Sequence, residues 1–292
     1  MQAQTIAISR LKAYISLMKP GIIMGNAMTA VSGFALASKG HFNLGLFLAM
    51  LVGQSLIIAC GCACNNYIDR EADQKMQRTQ NRSLAKGMVT PRNSIIFATL
   101  LGSVGVLLLS SCVNFMATLI ALFGLVVYVF VYSFWKYRSS SATLIGSIAG
   151  AVPPMIGYAA AADQIDIQAL ILFAVIVFWQ MPHFFAIAIY RMEDYAKASI
   201  PVLPLEKGMR TTKIQMLLYI ALFTLASSLL ATLGYVGKGY LIVSLCLGLI
   251  WSVLSIQGFK CKDDKLWARK MFLFSLVVVT GISATLPFYI IL

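Results

Sequence analysis

Apolar residues in this chain come in long unbroken runs, with polar residues confined to the short gaps between them. Nine runs stand out, at 21–38, 44–66, 93–112, 115–135, 142–161, 168–190, 214–234, 239–257 and 271–291. Each is close to the ~20 residues a helix needs to cross the hydrocarbon core of a bilayer. The pattern predicts an all-α, polytopic membrane protein with nine transmembrane helices. No low-complexity stretch or long linker divides the runs, so residues 1–292 read as a single membrane-embedded domain. Two gaps are longer than a reversal of direction requires, 67–92 after the second span and 191–213 after the sixth. They lie four spans apart, which hints at a four-helix repeat followed by a ninth helix.

Composition agrees with the pattern and narrows it. Hydrophobic residues make up 60% of the chain and charged residues 11%, against roughly 25% charged in a soluble domain. With a mean hydropathy of +0.84, this excludes a cytosolic globule, a disordered chain and a disulfide-stapled secreted domain. The 23 Lys and Arg outnumber the 10 Asp and Glu, but they lie in the gaps, where they set orientation rather than bind nucleic acid. The expected partner is the lipid bilayer. With the N-terminus in the cytoplasm, 21 of the 23 basic residues fall on the cytoplasmic side, and only Lys39 and Lys238 lie outside. That asymmetry predicts a cytoplasmic N-terminus and an external C-terminus. The first twenty residues are weakly basic and lack a cleavage pattern, so a bacterial inner-membrane protein that retains its first span is expected.

Cys60, Cys62 and Cys64 form the cluster CGCAC, which invites a metal reading. On a helix Cys60 and Cys64 share a face while Cys62 points away, a poor joint cage. Small packing thiols are expected instead. Span 5 carries Gly146 and Gly150 at a spacing that lets helices approach closely, and then Pro153 and Pro154, which predict a kink.

Chemistry concentrates at the cytoplasmic mouth. If the second span continues as a helix past the interface, Asn65, Asp69 and Asp73 fall at i, i+4 and i+8 and form one stripe of oxygen ligands. Closely spaced carboxylates repel unless a cation sits between them, and this donor chemistry suits Mg²⁺. Lys75, Arg78, Arg82 and Lys86 follow, placed to neutralise a diphosphate. A second patch, Tyr190-Arg191-Met192-Glu193-Asp194-Tyr195, lies at the same depth on span 6. Asp194 offers a second acidic wall, with Tyr190 one turn earlier, so the two patches outline a clamp between facing helix ends. The opposite membrane face offers only His41, Asp163, Asp166 and tight turns. No convincing Ser/His/Asp or Cys/His set is present.

These stretches resemble the UbiA superfamily of intramembrane prenyltransferases, whose first motif NxxxDxxxD is matched by Asn65, Asp69 and Asp73. KPGIIMGN, NNYIDREADQKMQRTQNRSL, GAVPPMIGY, FWQMPHFFAIAIYRMEDY and IPVLP carry the likeness from residue 19 to 204. The last two point to the branch acting on haem. The resemblance implies a UbiA-like helical bundle with Asn65, Asp69, Asp73 and Asp194 as catalytic and Mg²⁺-binding residues. Arg70, Lys75, Arg78, Arg82 and Arg191 would bind the diphosphate of farnesyl diphosphate. It also implies that haem b is the acceptor, met by His183, Trp179 and Tyr190, with His183 as an axial ligand or orienting contact. A downstream haem-modifying enzyme or oxidase assembly is a possible partner. Two departures stand out. Tyr190 replaces the first Asp of the second DxxxD common in the superfamily, and Ser83 stands where proline is frequent, which bears on loop stiffness. An aromatic quinone precursor as acceptor, and a transporter with an acidic vestibule, are the competing readings. Transporters keep their ionisable groups near the midplane, where this chain offers mainly His183 and prolines.

Overall fold

The computed structural model describes residues 2–291, with side chains from Arg10 onward; Met1 and Leu292, the ends of the expected single domain, lie outside the described residues. The chain is helical throughout and places nine helices long and apolar enough to cross a membrane where the hydrophobic runs predict them, among the described residues. After α1 (Gln2–Met18), these are α2 (Pro20–Ser38), α3 (Leu44–Lys75), α4 (Pro91–Cys112), α5 (Phe115–Trp135), α6 (Ala142–Ala162), α7 (Ile167–Tyr190), α8 (Gly208–Thr232), α9 (Lys238–Lys260) and α10 (Asp264–Phe288). The protein is a multi-pass membrane protein. Large apolar side chains such as Leu100, Leu107, Ile242 and Leu249 are exposed, as expected of faces that meet lipid.

Polar side chains satisfy the helix starts that the apolar runs leave open. Asn43 caps α3 at Leu46 N (3.1 Å), Thr90 caps α4 at Asn93 N (3.2 Å), and Asn114 caps α5 at Ala117 N (2.8 Å). Asp166 caps α7 through Gln168 N (2.8 Å) and also accepts a hydrogen bond from Tyr158 at 2.5 Å. Asn43, Asn114 and Asp166 keep the turns at one end of the bundle short, while Thr90 starts a helix at the other.

Three departures from simple spans shape the bundle, two of them at its other, Lys- and Arg-rich end. First, α3 runs to Lys75, nine residues beyond its apolar stretch. Second, α5 contains a wide π-type turn over Val127–Tyr132, in which Ser133 N–H bonds to Tyr128 O five residues back. Third, α6 breaks at Ala151 ahead of Pro153 and Pro154, the kink the prolines predict. The close approach falls elsewhere than at Gly146 and Gly150. A Cβ on Gly33 of α2 would lie 1.9 Å from Pro154 O, and one on Gly157 would lie 2.0 Å from Ala30 O. Two backbones touch there, and only glycine permits it. Gly150 instead makes room for Gln180, whose Nε2 donates to Ser147 O at 3.0 Å.

Helix α1 is too short and polar to register as a span. It buries Ala13 and Leu17, one turn apart, against Cys60, Ala63, Leu84, Val89 and Ala98. Cys60 packs toward Gly102 of α4, and all six cysteines are free, in line with packing thiols.

Candidate active site at the basic end of the bundle

The extension of α3 brings Asn65, Asp69 and Asp73 onto one buried face. Each of the three meets its own cation. Lys19 Nζ donates to Asn65 Oδ1 at 2.8 Å, Lys136 Nζ lies 2.5 Å from the Asp69 carboxylate, and Arg82 donates to both oxygens of Asp73 at 2.9 and 2.8 Å. Tyr137 adds a hydroxyl to Asp69 at 2.8 Å. Each carboxylate is thus paired with an ammonium or guanidinium group, the arrangement a buried carboxylate requires.

The cations arrive from three different segments. Lys19 occupies the junction of α1 and α2 with φ 53°, a left-handed conformation that a non-glycine residue adopts at some cost. Ser133 and Lys136 are aimed by the wide turn in α5: Asn65 Nδ2 donates to Ser133 Oγ at 3.3 Å, and Lys136 follows one helical turn after Tyr132. Arg82 comes from the loop after α3, which Ser83 ties to α1 by donating to Ala13 O at 3.1 Å and bonding Ser16 Oγ. Ser83 thus does more than set loop stiffness. Burial lowers the Lys19 pKa to about 8, and lowers that of Lys136 against the opposing pull of Asp69. Burial, with Asp69 beside it, pushes Tyr137 upward.

The second patch closes over the first. Asp194, on the short helix Met192–Lys197, is buried; its Oδ1 accepts from Gln77 N at 3.2 Å and its Oδ2 lies 4.0 Å from Arg191. Met76 packs with Ala188, Ala198, Ile200 and Val202, joining the loop after α3 to the segment after α7. Arg191 also lies over the Tyr190 ring at 4.5 Å. Glu193 points outward to Lys265 at 3.5 Å.

Not every expected side chain converges. Arg70 turns to Tyr67 O (2.8 Å) and Glu71 (3.2 Å) and stacks on the Tyr67 ring. Lys75 and Arg78 are exposed on the rim. Among the described residues no three His, Cys, Asp or Glu side chains converge closely enough to hold one ion. The donors at the stripe are nonetheless all oxygen and anionic or amide in character, a set that fits Mg²⁺ rather than a softer metal. Lys19, Lys136 and Tyr137 were not singled out by the sequence pattern. The two lysines read there as orientation charges, and only the fold brings them to the stripe.

Deeper in α7, His183 is buried between Trp179 (ring centroids 4.8 Å apart) and Phe272 (5.1 Å). Tyr128 and Tyr132 stack at 5.6 Å beside the stripe, while Tyr158 serves the capping Asp166 at the far end.

The sequence pattern of the UbiA prenyltransferase family matches residues 26–277. The chain belongs to the UbiA prenyltransferase family. It is an enzyme of the prenyltransferase class. Among curated relatives of the family, it is 51% identical to the protoheme IX farnesyltransferase of Protochlamydia amoebophila over 94% of this chain and 97% of that one. It is 49% identical to the protein of the same name from Sodalis glossinidius, over 94% and 93%. Solved UbiA folds agree: a digeranylgeranylglyceryl phosphate synthase structure superposes with TM-score 0.80 at 18% identity, over 96% of this chain and 98% of that one. A UbiA homologue from Archaeoglobus fulgidus bound to GPP and Mg²⁺ superposes with TM-score 0.74 at 14% identity, over 94% and 99%.

Proposed function

We propose that this enzyme transfers the farnesyl group of farnesyl diphosphate to a vinyl group of haem b, with addition of water, giving haem O and diphosphate. The names of its near full-length relatives support this donor and acceptor. The observation that carries the site is the pairing of Asn65, Asp69 and Asp73 with Lys19, Lys136 and Arg82.

Asn65, Asp69, Asp73 and Asp194 would hold Mg²⁺. When bound, the ion neutralises diphosphate charge and acts as a Lewis acid on the leaving oxygen. Lys19, Lys136 and Arg82, with Arg78, Lys75 and Arg191 at the rim, are the donors for the diphosphate oxygens. They favour the charge that develops as the allylic C–O bond breaks and its electron pair leaves with the diphosphate. The haem vinyl π electrons then form the new C–C bond, water adds to the resulting cation, and the proton lost passes to solvent. Such a reaction needs electrostatics at the leaving group and an apolar surround rather than a nucleophilic side chain. His183, with Trp179 and Tyr190, belongs to the acceptor side, His183 as ligand or orienting contact for the iron. Arg70, turned to Tyr67 and Glu71, takes a supporting place at most.

The basic residues at this end support a reading in which it faces the cytoplasm from a bacterial inner membrane, with the N-terminus inside and the C-terminus outside. The product would pass to a haem-modifying enzyme or to oxidase assembly. The test uses purified protein with Mg²⁺, farnesyl diphosphate and haem b, followed by mass spectrometry of the extracted haem. A gain of one farnesyl group plus the elements of water, lost on chelation, is expected. Diphosphate release onto an aromatic acceptor, with haem unchanged, would overturn the acceptor while keeping the donor chemistry.

A further inference from the structure

His183 is one of two histidines in the chain and lies in the interior of α7. Its Nδ1 is 2.7 Å from Ser275 Oγ on α10. The same hydroxyl lies 2.6 Å from Phe272 O, a carbonyl that can only accept. A serine hydroxyl has one proton. With that proton directed to Phe272 O, Ser275 Oγ can only accept from His183, so Nδ1 carries the ring hydrogen. A charge this deep in a span is costly, so the ring is neutral and Nε2 is left with its lone pair bare. Among the described residues Nε2 has no hydrogen-bond partner, and the side chain keeps 9% exposure.

Ser275 is itself held in place. It is fully buried, and its carbonyl accepts the Trp179 indole N–H at 2.7 Å. One serine therefore anchors both Trp179 and His183, while the Trp179 and Phe272 rings pack against the imidazole at 4.8 and 5.1 Å. A histidine in water favours the opposite tautomer, with hydrogen on Nε2, so the arrangement requires a partner that imposes it.

We propose that Ser275 is a positioning residue that fixes His183 in the Nδ1–H tautomer and so presents Nε2 as an unprotonated donor to the haem iron. The tautomer rests on the Ser275 proton being taken by Phe272 O; its use toward iron rests on the haem reading above. Metal-binding histidines owe their orientation and basicity to such outer partners, and here the partner comes from the last helix of the bundle.

The test separates the two parts. In ¹⁵N-histidine-labelled protein in detergent, with His41→Gln removing the other signal, the nitrogen shifts should show a protonated Nδ1 and a bare Nε2. Ser275→Ala should move the population toward Nε2–H, and Ser275→Thr, which keeps the hydroxyl, should restore it. Ferric haem b added to the wild-type protein should give the spectrum of a nitrogen-ligated iron. Ser275→Ala should weaken that binding by about 10–100-fold, with Ser275→Thr again restoring it. A wild-type spectrum with hydrogen on Nε2 overturns the proposal, even if Ser275→Ala does not fold. The expected tautomer together with haem binding unchanged in both Ser275→Ala and His183→Ala overturns the ligand role and locates the fault in the haem reading.

Discussion

The ends of α3 and α7 that face each other, four spans apart, hold their charge in different ways. On α3, three successive polar positions are buried and each is matched to a separate cation. On the α7 side only Asp194 is buried; Arg191 stands 4.0 Å away, and the main partner is a backbone N–H of the opposite loop. Where a second carboxylate would extend that wall stands Tyr190, under the Arg191 guanidinium. Deeper in the same helix lies an uncharged imidazole clamped by aromatic rings. Buried ion pairs are costly to assemble and far costlier to break, and the fold concentrates them in one half. The α3 half is built to manage charge, and the α7 half lends it one carboxylate while positioning a neutral group.

The sharpest way to break that contrast is to neutralise the α3 stripe. Asp69→Asn or Asp73→Asn should lower turnover by about 10²–10³-fold, the effect of removing a group that stabilises developing charge. Asp194→Asn should cost less, because it is one carboxylate with a weaker partner. Measured turnover by product mass spectrometry decides the order, and an equal loss at Asp194 would make the halves equivalent. A second test concerns the pair itself. Lys136→Met leaves Asp69 buried without its cation and should destabilise the protein by about 3 kcal/mol. The double variant Asp69→Asn/Lys136→Met should regain most of that stability in thermal unfolding while staying inactive.

The α3 half was legible in the sequence to an unusual degree, because a polar stripe at the end of an apolar run has few innocent explanations. Its partners were not. Lys19 and Lys136 look like ordinary orientation charges, even though Lys19 opens the KPGIIMGN stretch. What recruits them is a left-handed residue before Pro20 and a wide turn in α5, both consequences of packing rather than of hydrophobic period. Arg70 fails for the converse reason. It lies next to Asp69 in sequence, but adjacent residues on a helix point about 100° apart, and it turns away. The nine spans were readable in number and order, with ends displaced by up to nine residues where a helix runs on beyond its apolar stretch, whereas α1 escaped because it carries no span-length apolar run.

A pH series sharpens the contrast at smaller scale. Lys19, lowered by burial to about 8, loses its charge as pH rises through that value, whereas the unfolded chain keeps the proton to about 10.5. Binding of farnesyl diphosphate should therefore weaken by up to about tenfold per unit above pH 8, while unfolding free energy rises over the same interval because the unfolded state binds the extra proton. Lys19→Arg should flatten the binding limb. A profile that is identical in both proteins would remove Lys19 from the diphosphate site. The smallest expected effect belongs to Ser83→Ala, which removes the tie to Ala13 and Ser16 and should cost about 1 kcal/mol with little change in turnover.

The wide turn in α5 makes chain length itself a functional variable. One residue more than an α-helical turn contains rotates everything beyond it by about 100°, and here that rotation carries Ser133 and Lys136 onto the stripe. Deleting the extra residue would restore a regular α-helical turn, but it would swing Lys136 off the stripe and leave Asp69 buried without its cation. Aim is what that one residue decides, and two proteins with the same residues in α5 but one fewer before Ser133 would present different chemistry to the same diphosphate.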